Sequence, residues 1–167
     1  MKGQTAVEYL MTYGWAILII LIVAGVLAYY GIFAPQGFLG PTARGFGQVQ
    51  VLNPWSLSSA TGALTINMEN RVGGTIKITD INYTLTSGGT GTYVAAITST
   101  ECTSGCETGT NDLTSGKKAT IATGAITGWT AKTAGDSWTA TITIYYNYPS
   151  DTTNQFSSTG TLSGTYS

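Results

Sequence analysis

The sequence contains no histidine, and only 9% of its 167 residues are charged, seven basic and eight acidic, for a formal net charge of −1. Without histidine the usual proton shuttle near neutral pH is missing, and so is the commonest transition-metal ligand. Without a clustered basic excess there is no electrostatic footprint for a polyanion, so nucleic acid is not an expected partner. The only two cysteines, Cys102 and Cys106, stand close together. An enzyme built from this chain would have to work with carboxylates and hydroxyls alone. The acidic residues Asp80, Glu101, Glu107, Asp112, Asp136 and Asp151 are scattered, without a nucleophile motif or a phosphate-cradling glycine loop. Solvated loop charges account for them, so no catalytic residue, cofactor or metal site is expected.

What is present divides the chain in two. After Glu8 the next charged residue is Arg44, and Gly14 to Ala34 is almost continuously apolar. At about 1.5 Å per residue, roughly twenty such residues span about 30 Å, the thickness of a bilayer's hydrocarbon core. The stretch is longer than the apolar part of an ordinary cleaved signal peptide. Lys2 on its N-terminal side puts the start in the cytoplasm by the positive-inside tendency, and the remainder outside. Tyr9, Tyr13 and Trp15 at one end and Tyr29, Tyr30 and Phe33 at the other read as interfacial belts. Ile17, Leu18, Ile20, Leu21, Val23 and Leu27 are the expected core of a helix bundle, since the same apolar surface that enters lipid can pack against copies of itself.

Glu8 does not suit a plain anchor. A carboxylate beside hydrocarbon costs a few kcal/mol unless paired, so a partner is expected. A competing reading places it in the first helical turn, where the helix dipole alone would favour it.

Gly3 followed by Gln4-Thr5-Ala6-Val7-Glu8-Tyr9 resembles the class III signal of archaeal type IV pilin precursors. The resemblance implies cleavage between Gly3 and Gln4 by a prepilin peptidase, with the apolar helix kept on the mature protein and Glu8 becoming its fifth residue. It further implies identical subunits in a helical polymer, in which Glu8 pairs with the amino terminus of a neighbour and sets axial register. An assembly ATPase and a membrane platform protein are the other implied partners. The protein would sit in the membrane as a precursor and then in an extracellular surface filament for adhesion or cell contact. A different class of function uses the same leader, that of an anchored extracellular binding or accessory protein that never polymerises. The archaellin type of leader differs from this one.

The remainder is rich in Thr, Ser, Gly, Ala and aromatics, which favours strands and turns. The expected organisation is a leader at 1–3, a helix at 4–34, a linker at 35–47 and a head at 48–167. The expected fold is α+β, the long helix followed by an all-β head of Ig-like sandwich type, with about seven strands. These are read at 47–52, 63–69, 75–86, 92–98, 118–122, 139–146 and 160–166. The alternation in 76–83 is imperfect. Cys102 and Cys106 bracket a tight loop, where a disulfide is the first choice and metal binding by two lone thiolates has little support. Asn82-Tyr83-Thr84 is a sequon, making Asn82 a glycosylation candidate.

Overall fold

A computed structural model describes residues 4–30 and 40–167. The chain divides into two units, Met1–Gly40 and Pro41–Ser167.

In the first unit, helix α1 runs Gln4–Tyr29, and a last helical hydrogen bond joins the Tyr30 amide to the Val26 carbonyl at 3.0 Å. The segment has no proline and is filled by Leu, Ile, Val and Ala, so nothing interrupts its i→i−4 ladder. Residues 31–34 of the expected helix lie outside the described residues.

The second unit opens with β1 (Thr42–Arg44), β2 (Val49–Leu57), β3 (Leu64–Asn70), β4 (Ile76–Ser87) and β5 (Gly91–Ala96). It continues with β6 (Cys102–Ser104), β7 (Asp112–Leu113), β8 (Lys118–Ala122), β9 (Ser137–Tyr148) and β10 (Asp151–Thr165). One antiparallel sheet has the order β1-β10-β9-β4-β5, with β7 also pairing β4, and the other has the order β2-β3-β8-β6. Alternate residues point inward from both. Ile81, Tyr83, Ile142 and Ile144 from the first sheet and Leu64, Ile66, Met68 and Ile121 from the second belong to one buried cluster. At about 1.5–3 kcal/mol per fully buried large aliphatic side chain, this cluster is the main stabilising term of the head.

The imperfect alternation in β4 has a structural cause. Ile76 and Ile78 face inward, and then Ile81, Tyr83 and Leu85 do, so the phase changes by one residue between them. The register against β9 shifts at the same place, from Ile78 opposite Tyr146 to Asp80 opposite Tyr145. Thr79 is the extra residue of a bulge, which flips the inward set without ending the strand.

The segment read as linker to Gly47 differs from expectation, since Thr42–Arg44 pairs with β10 as a strand. Its space comes from Gly160 on β10. A Cβ there would lie 2.5 Å from the Phe46 ring and 2.6 Å from the Arg44 carbonyl oxygen. The strand expected to end at Leu52 continues to Leu57 through an irregularity at Asn53-Pro54, which an edge strand tolerates. Asn67 Nδ2 donates to the Pro54 carbonyl at 2.7 Å. β10 begins nine residues before the expected strand, because its exposed first half has no apolar period to read.

Gly160→Val is therefore expected to destabilise the head by about 1–3 kcal/mol through overpacking. A lowered urea midpoint with an unchanged m-value would record it, whereas an unchanged midpoint would contradict the close approach of β1 to β10.

Candidate functional site: an apolar helix without a partner

The described side chains of α1 are exposed almost throughout. Ile17, Leu18, Ile20, Leu21 and Val23 have relative exposures of 54%, 50%, 64%, 66% and 49%. Leu27, the sixth expected bundle residue, is shielded to an intermediate degree. Residues Val7–Tyr29 are long and apolar enough to cross a membrane, and none of the apolar span is buried among the described residues. Its face is apolar all round, the pattern of a helix that is covered by lipid or by other helices.

Polar features of this helix are few. Glu8 is exposed, one turn in from Gln4, and the first turn of the described helix holds no acidic residue. The dipole reading therefore loses its geometric basis, since that interaction falls off within the first turn. The Glu8 carbonyl accepts a bond from Thr12 Oγ1 at 2.9 Å, as well as serving the helix ladder. Tyr9 and Tyr13 pack with ring centroids 4.7 Å apart. Of the cleavage pair, Gly3 lies outside the described residues, and Gln4 opens the helix.

The two cysteines form a disulfide, Cys102–Cys106, with Cα atoms 6.3 Å apart. Cys102 opens strand β6 instead of lying wholly in a loop. Gly105 between them has φ +86°, and a Cβ there would run into the Lys118 carbonyl of β8. Gly105 is thus required by the approach of the loop to the neighbouring strand.

Asn82 sits mid-strand in β4, opposite Val94 of β5 and Thr143 of β9, with its Oδ1 shielded and unpaired. This is a strand interior, unlike the surface loop that suits a sequon. Around it the outward face of the first sheet is a field of hydroxyls. Thr84 and Thr92 lie 3.0 Å apart and Thr143 and Thr159 3.1 Å apart, in rows that run across four strands. The threonine-rich composition is spent here, wetting a sheet face with almost no charge.

Two of the scattered acids, Glu101 and Asp151, secure turns, whereas Asp80 lies in β4 and Asp112 in β7. The Thr98 amide donates to Glu101 Oε2 at 2.8 Å, and Asn154 Nδ2 donates to Asp151 Oδ2 at 2.8 Å. The Thr98 hydroxyl and amide hold Glu101 below the usual carboxylate range, and Asn154 does the same for Asp151. Among the described residues, no three metal-ligating side chains come together. Tyr146 is buried and Tyr148 packs on Phe156 with centroids 5.5 Å apart, so these two serve packing.

Two buried asparagines had no signal in the sequence. Asn70 donates to the Leu113 and Gly74 carbonyls at 2.7 and 2.9 Å and accepts from the Val72 amide at 2.8 Å. Asn111 Nδ2 bridges the carbonyls of Ile78 and Ile97 beside the Thr79 bulge. Both satisfy backbone groups that the sheets leave unpaired. No family model matches the chain, and no curated protein matches it either.

Burial pushes the Tyr83 hydroxyl well above its ordinary range, with Tyr93 and Tyr166 adding to the effect. Tyr83 also donates to the Gly62 carbonyl. A raised folded pKa gives stability that is complete below the unfolded value of about 10 and lost as pH rises above it. The urea midpoint of the head should be flat from about pH 7 to 9 and fall above about pH 10. In Tyr83→Phe the alkaline fall should be shallower, and an identical slope would remove Tyr83 as its cause.

Proposed function

We propose that this chain is a structural subunit of an archaeal type IV pilus-like surface filament that polymerises through α1. The observation that carries the reading is a helix of 26 residues of whose apolar span none is buried among the described residues. Lipid covers it first, and copies of the same helix cover it after assembly. The hydrophobic effect then holds the bundle without covalent links, each buried Leu or Ile adding about 1.5–3 kcal/mol.

Gly3, Gln4 and Glu8 add direction to this. Cleavage after Gly3 by a prepilin peptidase leaves Gln4 as the amino terminus and Glu8 as the fifth residue. In this reading Glu8 enters the apolar bundle paired with a neighbour's terminal amine, which offsets the few kcal/mol that an unpaired carboxylate would cost there. An assembly ATPase and a membrane platform protein drive extraction from the membrane. The head, with two antiparallel sheets around one cluster, is read as an Ig-like sandwich displayed outside the cell for adhesion or cell contact.

The test is a Glu8→Ala strain, with surface filaments isolated by shear and their subunits identified by intact mass. Wild-type filaments should contain this chain beginning at Gln4 as the main component, and the variant should accumulate in the membrane with filament yield reduced at least about tenfold. Normal filaments from Glu8→Ala would sink the role assigned to that residue, and filaments lacking the chain would sink the function.

A further inference from the structure

The two ends of the five-stranded path are edges. Among the described residues β5 pairs only with β4, and its sequence Gly-Thr-Tyr-Val-Ala-Ala has no lysine, proline or bulge to protect it. The Ile97 amide donates to the Thr79 carbonyl at 2.7 Å. From that bond the antiparallel alternation turns the backbone N–H and C=O groups of Thr92, Val94 and Ala96 away from β4. Val94 is 64% exposed. An open groove of about 370 Å3 runs along this edge, with Gly124–Thr127 opposite and Glu101 in its lining. Ala95, Ala96, Gly124 and Ala125 are small residues within this lining, and they leave room for a further backbone.

The other end is β1, which among the described residues pairs only with β10. Thr42 and Arg44 share the outward rows of Ser163 and Thr161. Arg44 is exposed and, among the described residues, enters no ion pair. Every pairing along β1-β10-β9-β4-β5 is antiparallel, and five strands lie on the path. The first and last strands therefore run the same way. A second copy placed head-to-tail would set its β1 parallel to β5, and with Thr42 opposite Val94 its Arg44 falls opposite Ala96, on the groove that Glu101 lines.

We propose that the β5 edge of one head receives the β1 edge of a second copy, extending the larger sheet from subunit to subunit with Arg44 facing the Glu101 carboxylate. Such a contact is heterologous, joining two different surfaces of the same protein, and it propagates into an open helical array instead of closing as a dimer. Main-chain hydrogen bonds supply the attraction, as in other strand additions, and the charge pair sets direction and register. The proposal rests on the filament reading, which supplies the second copy.

The test uses the full-length chain in its own cells, carrying Thr42→Cys and Val94→Cys together. The native cysteines are already joined to each other, so the two new thiols are the reactive pair. Mild oxidation should give a ladder of disulfide-linked multimers in the double variant and none in either single variant, with the 42–94 peptide link identified by mass. Dimers from Val94→Cys alone would overturn the proposal in favour of a symmetric edge contact, and no ladder in assembled filaments would overturn it outright. Adding Arg44→Glu should lower the cross-linking yield about five-fold, the size expected of a rim ion pair, and Glu101→Lys should restore it. An unchanged yield would overturn the assigned register. Electron microscopy of the same cells separates the two readings. Filaments without the cross-link contradict the edge contact alone, and cross-linked heads in cells without filaments contradict the filament reading alone.

Discussion

An apolar helix with none of its apolar span buried among the described residues is the constraint on which the rest depends. Residues Val7–Tyr29 expose Leu, Ile, Val and aromatic side chains on all sides, and burying them in lipid or in a bundle removes a penalty of many kcal/mol. Every other feature of α1 is compatible with both environments. Nothing in its sequence interrupts the backbone ladder, and its one charged side chain, Glu8, stands near its start instead of in its middle. That placement lets a helix sit in a membrane with the carboxylate near the interface, and in the proposed filament it makes the same carboxylate a marked point among packed helices.

The head solves the opposite problem. Its core is complete, from Val49 to Tyr166, and the buried Asn70 and Asn111 are paired to backbone groups at places where the strands part. The outward face of the larger sheet carries hydroxyl rows in place of charges. A surface of this kind stays hydrated without building up repulsion between copies, which suits the filament subunit proposed above.

The sequence made the helix and the larger strands legible because both rest on periodicity. The inward sets Leu64-Ile66-Met68 and Ala140-Ile142-Ile144 are simple alternations, and the structure keeps them. What was not legible depended on close approach between distant segments. Strand β1 exists because Gly160 leaves room for Phe46 and Arg44, a fact that no local pattern around Thr42 can carry. The first half of β10 is polar apart from Phe156, so no alternation marked it as a strand. The broken alternation of β4 was visible but lacked an explanation until the register against β9 placed the bulge at Thr79. Glu8 shows the reverse case, since its unusual position was readable from sequence and the helix start removes the dipole as a sufficient reason for it.

The central claim is that copies of this chain cover α1. A spin label at Ile20, which is exposed on the isolated helix, reports its surroundings directly in material sheared from cells and kept free of detergent. The account predicts an immobilised label, shielded from water-soluble relaxation agents and broadened by labels on neighbouring copies. A label found only in the membrane fraction, mobile in lipid and without coupling to other copies, would contradict it.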